Sequence, residues 1–274
     1  MRILQITDCH LLPEVAAKIY GADTFRSLSS VLQSALALPE RPDLIVATGD
    51  LSEDGSDRSY QRLRQILLDA GLPVYVIAGN HDSVDAMRRS LVGGPIRMEP
   101  CLDVGAWRIV FVDSKVAGEP HGYLEKAELR RLGETLAAES ERPAIVCLHH
   151  SPIRPCPSTS CHLKNDDELI AVLDLHANAR AVLAGHSHLD LERRIQHATL
   201  LTTPATSSQC VHAQSGEPVD HEDFWSSHRF DASRHGFRML SLHPDGRFES
   251  SVHWTSDGQR RILATQPLCN REPG

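Results

Sequence analysis

No apolar run in this chain approaches the roughly 20 residues that cross a bilayer as a helix, so a membrane-embedded role is not expected. The N-terminus also lacks the plan of a secretory leader: Met1-Arg2 leads straight into Ile3-Leu4-Gln5-Ile6-Thr7 and then the polar Asp8. Basic residues are in the minority, 28 against 36 acidic for a net charge of −8, and nowhere form a block. Tight nonspecific nucleic-acid binding needs clustered Lys and Arg, and is excluded on that ground. CxxC pairs are missing: the seven cysteines (Cys9, Cys101, Cys147, Cys156, Cys161, Cys210 and Cys269) are scattered and odd in number. They read as reduced thiols, with Cys147 as a small core residue inside an apolar strand, and a cytoplasmic location is the expectation. Repeats and linkers are absent as well. The 274 residues are expected to form a single domain, with residues 208–235 as a lid or dimerisation segment.

What the chain does have is an ordinary globular composition, 41% hydrophobic and 23% charged, and an alternation of apolar strands with amphipathic helices. Strands are expected at 2–7, through Leu44-Ile45-Val46 to Thr48-Gly49, and at 73–79, 107–112, 144–148 and 179–185. A helix at 24–38 would be capped by Thr24, carry Leu28, Val31, Leu32, Ala35 and Leu36 on one face, and stop at Pro39. Others are expected from Ser56 or Asp57 to about Ala70, where Gly71 ends the turn, and at 84–92, 125–138 and 166–176. The last third turns to strands: 198–204, then a hairpin from Phe237 through Pro244-Asp245-Gly246 to Glu249–Trp254. Between them, residues 208–235 are polar and weakly periodic, and read as a long loop. The pattern predicts an α/β fold of two mixed β-sheets packed face to face and flanked by helices, four layers in all.

Histidine is the anomaly, with 16 copies of which five fall into one pattern. Successive apolar strands end in Asp8-x-His10, Gly49-Asp50, Gly79-Asn80-His81-Asp82, His149, and Gly185-His186-Ser187-His188. In α/β sheets, ligands bind beyond the carboxyl ends of the strands. Any one of these motifs has a plain structural reading, such as a Gly-Asp turn, an Asx turn or a packed histidine. Five in succession, each after a strand, point to one shared site. Oxygen and imidazole donors without thiolate suit Mn, Fe or Zn, and hold too much imidazole for Mg or Ca alone. Asp-x-His and His-x-His place donors two residues apart, on one face of an extended chain. Gly49, Gly79 and Gly185 allow sharp turns and close backbone approach. Asp50, a lone acid at its strand end, reads as the carboxylate shared by two metal ions.

The order D-x-H, G-D, G-N-H-D, H, G-H-x-H resembles the calcineurin-like metallophosphoesterase superfamily. Asp50-Leu51-Ser52-Glu53-Asp54-Gly55-Ser56 with Tyr60-Gln61, His121-Gly122-Tyr123-Leu124, Leu163-Lys164-Asn165 and Thr203-Pro204-Ala205-Thr206 resemble the bacterial class III cyclic-AMP phosphodiesterases. The likeness covers about residues 1–207 and returns at Leu242–Gly246. It implies that Asp8, His10, Asp50 and His188 hold one metal, and Asp50, Asn80, His149 and His186 the second. The ions would be divalent or mixed-valence, Fe and/or Mn first and Zn next. Also implied is in-line attack of a metal-bound hydroxide on a small-molecule phosphodiester, cAMP to 5′-AMP being the expected reaction. Other phosphodiesters or phosphomonoesters are the alternative. His81 would contact the phosphate and protonate the leaving oxygen. Asp82 would orient His81 or else cap a turn, and Asn80, His81, His10 and His188 would meet the substrate.

Two other readings are weaker. A non-catalytic scaffold on the same fold would have lost ligands, and every expected one is present. Phosphoprotein phosphatases carry GDxVDRG and GNHE, where this chain has GDLSEDG and GNHD. His150 is expected to be structural, on the opposite side of its strand from His149. His121 and Asn165 are expected to pack or cap, and Cys156 and Cys161 to hold no metal or disulfide. The resemblance also allows a homodimer; no nucleic-acid or membrane partner is expected.

Overall fold

The computed structural model describes residues 1–153, 162–211, 229–256 and 262–264. The chain runs β1 (Arg2–Ile6), α1 (Thr24–Leu36), β2 (Leu44–Thr48), α2 (Asp57–Asp69), β3 (Val74–Ile77), α3 (Val84–Ala86), a π-helical turn (Met87–Leu91) and β4 (Ile96–Arg97). Next come β5 (Cys101–Val104), β6 (Trp107–Phe111), α4 (Lys126–Ala137), β7 (Ala144–Cys147), α5 (Asp166–Asp174), β8 (Ala179–Ala184), β9 (Leu191–Ile195) and β10 (Ala198–Thr202). Five strands finish the described chain: β11 (Gln209–Cys210), β12 (Arg229–Asp231), β13 (Arg234–Leu242), β14 (Phe248–Ser256) and β15 (Ile262–Ala264).

Successive side chains of a strand point to opposite faces, and here both faces are apolar, as expected of strands covered on two sides. In β1, β2 and β3, Leu4, Ile6, Ile45, Ala47, Val74 and Val76 pack on Leu28 and Val31 of α1 and Leu63 and Leu67 of α2. The alternate residues Ile3, Val46, Tyr75 and Ile77 meet Ile109, Phe111, Ile145, Cys147 and Leu183 of a second sheet. The far side of that sheet (Val110, Val146, Val182) is covered by Leu129, Leu132 and Leu136 of α4 and by Leu169 and Leu173 of α5. Each fully buried aliphatic side chain contributes about 1.5–3 kcal/mol, so this two-faced burial commits the central strands to an interior layer. The result is the expected four-layer α/β architecture.

One sheet has the order β14-β13-β1-β2-β3-β4, the other β5-β6-β7-β8-β10-β9. Both are mixed: β1 is parallel to β2 and antiparallel to β13, and β10 is parallel to β8 and antiparallel to β9. A buried polar clasp joins the sheets where the site will form. Gln5 Nε2 donates to Thr48 Oγ1 (3.0 Å) and to the Ala184 carbonyl (3.3 Å), and Gln5 Oε1 accepts from Thr203 Oγ1 (2.7 Å). It ties β1, β2 and β8 together near their carboxyl ends, so those ends open onto the same place.

Several boundaries differ from the sequence reading. Asp23, not Thr24, caps α1, its carboxylate accepting from the Arg26 N–H at 3.1 Å; the helix stops at Leu36 rather than Leu38. β9 was not legible because its middle three residues, Glu192-Arg193-Arg194, are all exposed and show no alternation. Residues 208–235 are not one loop: β11 and β12 pair antiparallel and β15 joins them as a third strand. Residues 212–228, like Cys156, Cys161 and Cys269, lie outside the described residues, so the lid expectation does too. Among the described residues Cys9, Cys101 and Cys147 are free thiols, and Cys147 is buried in the inter-sheet core. No helix among them is long and apolar enough to cross a membrane.

Candidate metal centre

Beyond β1, β2, β3, β7 and β8 the chain leaves the sheets and turns into one shared space. Asp8, His10, Asp50, His186 and His188 all have φ between 47° and 66°; among the described non-glycine residues only Tyr20 and Gln196 join them in this region. This overturns the expected reason for the Asp-x-His and His-x-His pairs. β1 ends at Ile6 and β8 at Ala184, so the donors are not on one face of an extended chain. Each is aimed by a left-handed backbone, which costs an L-residue about 1–2 kcal/mol and persists mostly at functional sites. Backbone bonds hold these turns: Asp8 N–H donates to the Gly49 carbonyl (3.0 Å), His10 N–H to that of Asp50 (2.9 Å). Gly79 lies so close to Asp50 that a Cβ there would collide with the aspartate's carboxylate and amide. Only glycine fits.

The side chains interlock. Asp50 Oδ2 is 3.3 Å from His149 Nε2 and 3.8 Å from His10 Nε2. His149 Nε2 also lies 3.2 Å from Asn80 Oδ1. On the other flank, His10 Nε2 faces His188 Nε2 at 3.2 Å, and His188 Nε2 is 3.4 Å from Asp8 Oδ1. His186 packs edge-on against His149, ring centroids 5.0 Å apart. Its Nε2 is buried with no partner among the described residues. Asp8, His10 and His188, and likewise Asp8, Asp50 and His149, each bring one ligand atom per residue within 4.8 Å of the others.

The remaining ring nitrogens decide what this cluster can hold. His149 Nδ1–H donates to the Thr48 carbonyl (2.8 Å) and His188 Nδ1–H to the Ser208 carbonyl (2.7 Å). His10 Nδ1 meets Glu53 Oε2 at 2.7 Å. In the neutral ring each bond leaves Nε2 as a lone pair aimed into the cluster, the arrangement typical of metal-binding imidazoles. Lone pairs that face each other, and a buried nitrogen with no donor, are unfavourable until something positive enters. The donor set fits metal ions, and its oxygens and imidazoles suit Mn, Fe or Zn.

Electrostatics agree. Burial would raise Asp50, yet His149, His81 and His10 outweigh it and hold the carboxyl well below its usual range. Asp8 is lowered too, burial being outweighed chiefly by His188. For His149 burial disfavours charge, but Asp50 carries it up to about 9; for His10 the Glu53 bond does the same, also to about 9. Burial and the neighbouring His149 push His186 down to about 3. Fixed negative charge thus stands beside imidazoles that protons and metal ions must contest.

Glu53 is the residue that the sequence reading passed over. Besides binding His10, its carboxylate lies 3.3 Å from His81 Nδ1, and its carbonyl is 3.2 Å from the same nitrogen. The signal was present: Glu53 shares Asp50's loop. Asp82 does not take the orienting role. It is buried, and accepts from the backbone N–H groups of Leu51 (3.1 Å), Ser52 (3.0 Å) and Gly79 (2.8 Å) and from the Tyr60 hydroxyl (2.9 Å). Those contacts make it a cap that ties the loops after β2 and β3 together. His150 is not turned away either, because β7 ends at Cys147 and strand alternation ends with it. Its ring sits 4.8 Å from that of His149 and 4.7 Å from that of His186, with Nδ1 2.9 Å from Ser114 Oγ. Asn165 packs as expected, clamping the Leu124 N–H (2.9 Å) and carbonyl (2.8 Å). His121 pairs with Glu119 at 3.5 Å.

Residues 1–190 match the calcineurin-like phosphoesterase family. The chain is 35% identical over 258 residues to the 3',5'-cyclic adenosine monophosphate phosphodiesterase CpdA of Pseudomonas aeruginosa, covering 93% of this chain and 90% of that protein. It is 31% identical over 253 residues to the 3',5'-cyclic-nucleotide phosphodiesterase alr5338 of a Nostoc species, covering 91% of each. Among solved structures a dimetal phosphatase from Danio rerio has a similar fold, with a TM-score of 0.60 at 14% identity over 96% of this chain and 98% of that one.

Proposed function

The chain belongs to the calcineurin-like phosphoesterase family, and from that membership we propose a two-metal phosphodiesterase that hydrolyses 3′,5′-cyclic nucleotides, cAMP to 5′-AMP foremost. One observation carries the two-metal part: Asp50 Oδ2 stands between His149 Nε2 at 3.3 Å and His10 Nε2 at 3.8 Å, one carboxylate between two donor groups. In this reading Asp8, His10, Asp50 and His188 hold one ion, and Asp50, Asn80, His149 and His186 the other, Fe or Mn foremost. Bound there, a cation pair acidifies water and draws charge from the oxygens of a phosphate ester.

The chain's own residues do the rest. Lys115 Nζ donates to the Asn80 carbonyl at 2.7 Å, which steadies the residue whose amide oxygen faces His149. His81 is 30% exposed, enough to meet a ligand, and Glu53 holds its Nδ1. Nε2 is then the free edge, and in the protonated ring it carries the proton that a departing ester oxygen would take. Asp82 keeps the two loops in register beneath them.

The relatives' names favour a cyclic nucleotide, since 35% identity runs through nearly the whole chain rather than the ligand motifs alone. A reducing, cytoplasmic setting suits the free thiols among the described residues. The test is a panel of cAMP, cGMP, bis-p-nitrophenyl phosphate and a phosphomonoester, run with added Mn and again with a chelator. The expected outcome is Mn-dependent diester hydrolysis with cAMP preferred, lost on chelation. A monoester turned over faster than every diester would overturn the proposal.

A further inference from the structure

Outside the ion cluster, the residue least expected from local chemistry is Tyr20. Ile19 and Ala22 exchange two backbone hydrogen bonds (3.1 and 2.8 Å), so Tyr20 and Gly21 form the tip of a two-residue turn. Both have positive φ, 49° and 85°. Turns of this kind favour Asn-Gly or Gly-Gly, and a bulky aromatic at the first position is a backbone outlier. Such strain is kept where a side chain is required in one place.

The place is the rim of the metal centre. Tyr20 stacks on Phe230, ring centroids 3.9 Å apart and planes within 13°. Phe230 is 2% exposed and stands edge-on to His188, 6.0 Å away, the histidine whose Nε2 faces His10. Burial first, and then the charge of Glu53, which binds His10, raise the Tyr20 phenol above its ordinary range, so the ring stays neutral. One face of Tyr20 is thus spent on Phe230. No second ring among the described residues covers the other, and Tyr20 is only partly buried.

We propose that the free face of Tyr20 is a shelf on which the nucleobase of the substrate stacks, making it a specificity-determining residue. The inference rests on the cyclic-nucleotide reading above. A cyclic nucleotide carries its base one ribose away from the phosphate, so a flat apolar surface is needed one ring's breadth from the ion cluster. Tyr20 provides it, rigidly backed by Phe230, and stacking of this kind tolerates any base while favouring the larger purines.

The test compares kcat/KM for cAMP with kcat/KM for the 3′,5′-cyclic phosphate of 1-deoxyribose, which differs only in lacking the base. Y20A should lower the cAMP-to-abasic ratio about tenfold or more, mainly through KM, as base–aromatic stacks do on truncation. Y20F, which keeps the face, should bring the ratio back to within about twofold of wild type. Y20L retains apolar contact with Phe230 and should behave like Y20A, which covers the case in which alanine disturbs the turn. A ratio left unmoved in both Y20A and Y20L, with cAMP still hydrolysed, sinks the shelf alone. Wild-type protein that ignores cAMP while hydrolysing another ester removes the cyclic-nucleotide reading, and the shelf with it.

Discussion

Two charged clusters sit at opposite rims of the same sheets. At the amino ends of β6 and β7, Arg108 binds Asp103 and Glu139, each at 2.7 Å, and Arg142 binds Asp103 at 2.7 Å and Glu139 at 3.1 Å. The carboxylates there are nearly half exposed and every cation has an anion. At the carboxyl ends, imidazole nitrogens face one another, five donors lie on left-handed backbone, and His186 Nε2 has no partner among the described residues. The first cluster neutralises its own charge within the chain. The second has unmet valence held in place at a conformational cost, so a site is marked here by what its groups still lack rather than by how many charges gather.

Substitutions can break this contrast. The largest effect is expected for D50A, which removes the carboxylate between the two donor groups. Turnover should vanish, and metal per chain, measured by atomic emission, should fall to one ion or none. Full activity in D50A ends the bridging role. H81A should come next, slowing hydrolysis about 10²–10⁴-fold, the range of general-acid contributions, with metal content near two. Loss of metal in H81A would place His81 among the ligands instead.

The smallest effect is expected at the self-neutralising cluster. Arg108 first, then Arg142, with slight burial opposing, lowers Asp103 from 3.8 to about 2. Because the folded value is the lower one, the pairing adds stability above about pH 3.8 and loses it as pH falls toward 2. D103N should therefore cost less than about 1 kcal/mol at neutral pH, as exposed pairs do, and urea melts should show the gap from wild type narrowing between pH 5 and 2.5. A larger loss than that of an ordinary surface pair would mean that the amino rim does more than neutralise itself.

Much of the fold was legible because apolar runs and capping chemistry are local. Ser56 capping α2 and the apolar runs of β1, β2, β3, β7 and β8 follow from neighbours in sequence. β9 was hidden by its exposed middle, and β11 and β12 by their length: two and three residues leave no period to detect. In the site, the donor types at the strand ends were readable but their geometry was not. An extended-chain rule was applied to Asp8, His10, His186 and His188 beyond the last strand residue, and to His150 likewise. That Glu53 and not Asp82 holds His81 was hidden for a similar reason, because adjacency to His81 in sequence is not adjacency in space.

By itself, then, the order of residues determined which chemical groups stand at which strand ends, since that needs only hydrophobic period and residue identity. Packing decided how they act together. His149 takes its second bond from Thr48, 101 positions away, and the His186 N–H reaches Asp8 across 178. Contacts so remote in sequence exist only once two sheets have closed face to face, and the one to Thr48 selects the nitrogen that His149 turns inward.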